Sequence, residues 1–137
     1  MVNKISHVGI VVGDLETATT EWCKRYGLRV VDELHVPVEG IRTRMLSPGY
    51  GRHEGFCVEL MEPLDKSDME NVIARRLAQN GEGVFHLAMR VDDVKAAESS
   101  LREAGVNAFG APEAEQGEGP RTLVHPKSAN GVLLELW

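Results

Sequence analysis

The sequence predicts an α+β fold: two tandem βαβββ modules forming one eight-stranded, cleft-shaped sheet assembly. Three observations predict it. Ser6-His7-Val8-Gly9-Ile10-Val11-Val12, with Asp14 and Ala18 after it, returns as Phe85-His86-Leu87-Ala88-Met89-Arg90-Val91 with Asp93 and Ala97. The offset is 79 residues for the His, the Asp and the Ala alike. A second matched pair, Val58-Glu59-Leu60 and Leu134-Glu135-Leu136, closes each half. Finally, each half reads as a strand, then a helix, then short alternating runs. One module alone has too little apolar surface to be stable. Residues 1–137 are therefore expected to form a single domain, with module one about 4–64, a linker helix about 67–80 and module two about 83–137.

Each element has a local reason. Residues 5–12 are rich in Val and Ile and read as a strand. Asp14 is placed to cap a helix in which Leu15, Ala18, Trp22 and Tyr26 share one face, and Gly27 ends it. Residues 29–36 and 41–46 read as strands parted by Pro37 and Gly40. Residues 47–51 form a turn and 56–61 a further strand. Ser67 and Glu70 have capping-box spacing before Val72, Ile73 and Leu77, and Asn80-Gly81 closes that helix. The first pattern then returns, with a strand over 84–91 and Asp93 as a cap. Val94, Ala97, Leu101 and Ala104 form one helix face, ended by Gly105. Strands follow near 106–109, 121–124 and 132–136, and the acidic stretch 113–119 reads as an exposed, mobile loop.

Composition narrows the function. The charged fraction of 26% and apolar fraction of 42% are those of an ordinary globular chain. A net charge of −6 argues against nucleic acid and anionic membranes as partners. No run is apolar enough to span a bilayer or serve as a signal peptide, so a cytoplasmic protein is expected. The two cysteines form no metal or disulfide pattern and read as reduced thiols.

The repeat singles out four polar residues: His7, Glu59, His86 and Glu135. Strand alternation puts Val8, Ile10 and Val12 on a face that a helix can cover, and His7 on the other with Ile5, Gly9 and Val11. His86 likewise opposes Phe85, Leu87, Met89 and Val91. Each glutamate sits between two apolar neighbours, and a carboxylate buried in such a strand needs a partner. Two imidazoles and two carboxylates at equivalent places suit a divalent Co, Ni, Mn, Fe or Zn ion. Four protein ligands on an octahedral ion leave two positions for substrate oxygens or water.

With these motifs the chain resembles the vicinal-oxygen-chelate (glyoxalase/bleomycin-resistance/dioxygenase) superfamily, and within it the methylmalonyl-CoA epimerases. The first motif is common to the superfamily. Val58-Glu59-Leu60-Met61-Glu62-Pro63-Leu64 and His125-Pro126-Lys127, followed by Gly131-Val132-Leu133-Leu134-Glu135-Leu136, are closer to the epimerases. The resemblance implies a metal held by His7, Glu59, His86 and Glu135, with Co2+ foremost and Mn2+, Ni2+, Zn2+ or Fe2+ open. It implies an isomerase that moves the C2 proton of an acyl-CoA thioester, methylmalonyl-CoA above all, through a metal-stabilised enolate. Glu135 would be both a ligand and an acid/base. A homodimer is implied by the same likeness. The family's second acid/base is a Glu. Here the aligned position is Thr43 or Arg42, with Glu39, His35 and Glu33 nearby in sequence. Arg42 and Arg44 are candidates for holding an anionic substrate group. The alternative is a glyoxalase-type isomerase or lyase using the same ligands on another small oxygen-chelating substrate.

Overall fold

Residues 1–111 and 119–137 are described in a computed structural model. The expected acidic loop 113–119 lies outside them, Gly119 excepted. The order is β1 (Val2–Val11), α1 (Leu15–Tyr26), β2 (Arg29–Val36), β3 (Ile41–Ser47), β4 (Cys57–Pro63), α2 (Val72–Asn80), β5 (Gly83–Val91), α3 (Val94–Glu103), β6 (Ala108–Ala111), β7 (Arg121–Val124) and β8 (Leu133–Leu136). Among the described residues this is a mixed α+β fold with βαβββ occurring twice, as the repeat predicts.

The residues group into two compact units. A central unit comprises Val8–Val84, and a terminal unit joins Met1–His7 to Phe85–Trp137. Strand β1 passes from one to the other. In the central unit the strand order is β2-β3-β4-β1, and in the terminal unit β1-β5-β8-β7-β6. Counted from the first strand of each module, β1-β4-β3-β2 and β5-β8-β7-β6 are one topology used twice. In each, the first strand is followed by a helix that covers one face. In the central unit Val12, Leu15, Leu46 and Leu60 form the buried cluster, with Ala18 and Trp22 packed on it. In the terminal unit Val91, Val94, Ala97, Ala108, Val124 and Leu136 do so, with Leu101 and Leu134 against them.

The two caps show how closely the repeat is kept. Asp14 (φ −141°, ψ 111°) accepts from the Thr17 N–H, and Asp93 (φ −144°, ψ 109°) accepts from the Ala96 N–H. Each satisfies one of the orphan donors of a first helical turn. The Thr17 N–H holds the Asp14 carboxyl below its ordinary range.

The start of α2 departs from expectation. Ser67 and Glu70 do not cap it. The Ser67 hydroxyl and N–H both turn to the Asp65 carboxylate (2.6 and 2.9 Å), and the Glu70 N–H to Asp68 (3.1 Å). Short acidic side chains here offer the backbone local turns that compete with a helix. Asn71 is the cap instead, accepting from the Ile73 and Ala74 N–H groups at 3.0 Å each. Its amide also donates to the Glu39 carbonyl at 2.7 Å. That amide lies 2.7 Å from where a Cβ would stand on Gly40, whose φ is +63°. Glycine is therefore favoured at position 40 on two counts. Asn71→Ala is expected to lower stability by about 1–2 kcal/mol. The measurement is the urea midpoint at an unchanged m value. Asn71→Asp, which keeps the acceptor, loses less.

Candidate metal centre

The centre grows from strand alternation in the terminal unit. Leu134 and Leu136 of β8 face the α3 core, so Glu135 between them faces the other way. Met89 and Val91 of β5 pack on the same core, which sends His86 and Ala88 to the opposite face. His7 closes the group from β1. Ligand atoms of His7, His86 and Glu135 all lie within 4.8 Å of one another. The two Nε2 atoms are 3.2 Å apart, and His86 Nε2 is 3.5 Å from Glu135 Oε2. Both histidines are 4% exposed. Of the four side chains that the repeat singles out, His7, His86 and Glu135 come together here.

The fit to a divalent ion can be judged from the surroundings. The Ser6 hydroxyl lies 3.1 Å from His7 Nδ1 and is itself buried. If Nδ1–H donates to that oxygen, the lone pair falls on Nε2, the atom that faces His86. A metal-binding histidine is commonly held by such an outer partner. The Trp137 ring lies 6.3 Å from that of His7, and the Arg90 guanidinium stacks 4.2 Å over Trp137. Two imidazoles and a carboxylate that converge in a buried setting are a donor set that a divalent ion satisfies.

Glu59 lies in the central unit. It is 8% exposed on β4, opposite Met45 in register, and its neighbours Val58 and Leu60 face the α1 core. Thr43, two residues before Met45 on β3, is 2% exposed, and its hydroxyl has no hydrogen-bond partner among the described residues. His35 and His53 are exposed. His125 shapes a turn, accepting from the Lys127 N–H at 3.1 Å.

Arg42 and Arg44, considered above as anion holders, are engaged elsewhere. Arg44 forks onto Glu16 at 2.8 and 2.6 Å and reaches Glu33 at 3.1 Å. Arg42 Nε meets Glu62 at 2.6 Å. Alternation accounts for this, because Arg42 and Arg44 share the α1 side of β3 with Leu46. The Arg44 guanidinium holds the Glu16 carboxyl below its ordinary range.

Sequence reasoning missed two residues of the centre. Ser6 has no echo in the repeat, since its counterpart is Phe85. Arg121 begins β7, and its Nη1 lies 3.6 Å from Glu135 Oε1. The available signal was the alternation of a four-residue strand. Thr122 bonds to Glu98 of α3 and Val124 joins the core, leaving Arg121 and Leu123 on the face of Glu135.

Comparison with known proteins agrees with this architecture. Residues 6–123 match the family described as the Glyoxalase/Bleomycin resistance protein/Dioxygenase superfamily. The ethylmalonyl-CoA/methylmalonyl-CoA epimerase of Cereibacter sphaeroides is 31% identical, over 99% of this chain and 98% of its own. The crystal structure of methylmalonyl-CoA epimerase from Mycobacterium tuberculosis superposes with a TM-score of 0.84 at 34% identity, covering 98% of this chain and 87% of that one. A Streptomyces coelicolor methylmalonyl-CoA epimerase variant in complex with 2-nitronate-propionyl-CoA gives 0.86 at 30% identity, covering 99% and 96%. The chain belongs to the glyoxalase/bleomycin resistance protein/dioxygenase superfamily and is similar, along nearly its whole length, to the methylmalonyl-CoA epimerases.

Proposed function

We propose that this protein is a metal-dependent epimerase acting at C2 of an acyl-CoA thioester, with methylmalonyl-CoA as the first substrate to test. The observation that carries the reading is the convergence of His7, His86 and Glu135 in a chain whose full-length relatives are named epimerases. His7, His86 and Glu135 would hold the ion. Glu59 enters as a fourth ligand because the repeat makes it the counterpart of Glu135. A bound divalent ion supplies positive charge where negative charge develops on the substrate oxygens.

The remaining chemistry belongs to the chain. Glu135 is the group that takes or returns the C2 proton. Its Oε2 faces His86 and its Oε1 faces Arg121, so the carboxylate is held from both sides. Its limited exposure, 12%, keeps bulk water from competing for that proton. Ser6 orients His7. The family likeness would place a second carboxylate at Thr43 or Arg42, and neither carries one, so the proton at the opposite face of C2 comes from a group other than a carboxylate there.

The finer points of the proposal are Co2+ as the native ion, a homodimer, a cytoplasmic location and one vicinal-oxygen-chelate domain over 1–137. Co2+ as the first ion to test comes from the family likeness, while the mixed imidazole and carboxylate donors suit any borderline divalent ion. The homodimer comes from the family likeness. No helix among the described residues is long and apolar enough to cross a membrane.

The test is isotope exchange. Cobalt-loaded protein is incubated with methylmalonyl-CoA in deuterated water, and the C2 proton is followed by NMR. The expected result is loss of that signal, abolished by a chelator and restored by the metal. Unchanged signal in the loaded protein would sink the epimerase reading.

A further inference from the structure

We propose that Trp137, clamped by Arg90, is a positioning residue for the metal centre: the indole sets the plane of the His7 imidazole, and the guanidinium sets the indole. This deepens the metal-centre reading above and rests on it.

Three observations support it. The first is placement. Trp137 is two residues beyond Glu135 and Arg90 four beyond His86, so alternation puts both on the sheet face that carries the donors. The backbone seats them side by side. The Trp137 N–H donates to the Met89 carbonyl at 3.1 Å, and the Val91 N–H donates to the Trp137 carbonyl at 3.0 Å. The indole centroid lies 6.3 Å from that of His7 on β1, with the planes tilted by 52°. That separation is within the range in which aromatic rings pack on one another.

The second is the division of restraints. The Ser6 hydroxyl meets His7 at Nδ1, 3.1 Å away. One hydrogen bond restrains a ring at one corner, whereas a neighbouring ring restrains its plane. Trp137 supplies that second restraint without competing for the ion, because an indole N–H only donates. Arg90 in turn fixes the indole, with its guanidinium carbon 4.2 Å from the ring centroid. Among the described residues Arg90 makes no ion pair that would draw it away.

The third is a departure from the repeat. In the central unit the equivalent bond runs from the Val12 N–H to the Met61 carbonyl at 2.9 Å. The offset of 79 carries Val12 to Val91 and Val11 to Arg90, and the offset that carries Glu59 to Glu135 carries Met61 to Trp137. Val11 and Met61 are buried, whereas Arg90 and Trp137 are half-buried. The same backbone arrangement thus holds an apolar pair in one unit and a cation–indole pair in the other. The exchange falls in the unit that holds His7, His86 and Glu135.

The experiment is cobalt binding without substrate, followed by titration and by the visible absorption of the bound ion. Trp137→Met gives the position the residue that its counterpart carries. It is expected to weaken cobalt binding about tenfold, as for losing a partner that orients a ligand. At saturating cobalt its absorption bands should also shift, because His7 is no longer held at one angle. A residue serving stability alone would lower the melting temperature of the metal-free protein and leave the bands of the saturated site in place. Trp137→Phe keeps a ring and should recover most of both the affinity and the spectrum. Arg90→Met should weaken binding about threefold, the size of one cation–π contact, although loss of a positive charge would by itself tighten it. Since the two residues act as a stack, Arg90→Met added to Trp137→Met should cause no further loss. Unchanged affinity or unchanged bands in Trp137→Met overturns the proposal, as does a Trp137→Phe variant no better than Trp137→Met. Further loss in the double variant overturns the clamp. Should Trp137→Met fail to fold, Arg90→Met alone is read in the same way. Wild type that takes up no cobalt overturns the metal reading and this proposal together, whereas variants that match a cobalt-binding wild type overturn only the stack.

Discussion

His86→Ala is expected to abolish divalent-metal binding and to lower C2 proton exchange roughly a thousandfold, the equivalent of several kcal/mol of lost charge stabilisation. The imidazole is central to the cluster, with Nε2 3.2 Å from His7 Nε2 and 3.5 Å from Glu135. Alanine removes a donor and leaves a void, because the residue is 4% exposed and flanked by the Phe85 ring at 6.2 Å. Two measurements separate loss of metal from loss of fold. Cobalt titration should saturate in wild type and not in the variant. Thermal unfolding should show the metal raising the wild-type midpoint and leaving that of His86→Ala unmoved, as linkage requires of an ion that binds only the folded state. A variant that still took up cobalt with wild-type affinity would remove His86 from the ligand set.

Glu135→Gln should give the second largest effect and a different signature. The amide keeps an oxygen for the metal and the shape of the carboxylate, but it does not accept a proton at neutral pH. Metal binding should weaken modestly while exchange falls by about two to four orders of magnitude, the range for losing a positioned acid/base. The drop should lie in kcat, with KM little altered, because the interaction removed acts on the reacting proton. Glu135→Ala should lose both metal affinity and rate. Full exchange in Glu135→Gln would assign the proton to another group.

Much of this was legible from the repeat. One offset placed His7 and His86 at matching strand positions and Asp14 and Asp93 at matching caps, and the two caps' backbone angles agree within a few degrees. Alternation then gave the facing of Glu135, since a strand between two leucines has only two choices. What stayed hidden depends on contacts that the repeat does not encode. Ser6 holds His7 through its own side chain, and its counterpart Phe85 has no such oxygen. Arg121 opens a four-residue strand after Pro120, where a charged residue reads as solvent-facing. The α2 cap was misplaced because Ser67 satisfied the spacing rule while Asp65 captured its hydroxyl. Arg42 and Arg44 looked available only while Glu16, distant in sequence, was not known to lie beside them.

The make-up of the terminal unit has a consequence for how the protein is made. That unit takes its first strand from Met1–His7 and everything else from Phe85 onward. On the ribosome, His7 emerges first of the three donors, His86 follows 79 residues later, and Glu135 later still. The three donors meet only after β8 has been synthesised. Such distant pairings form slowly, because the chain entropy is lost before the contacts are gained. An ion proposed for these three donors would therefore be captured late in the making of the molecule. A nascent chain stalled before β8 lacks Glu135 and should hold no ion.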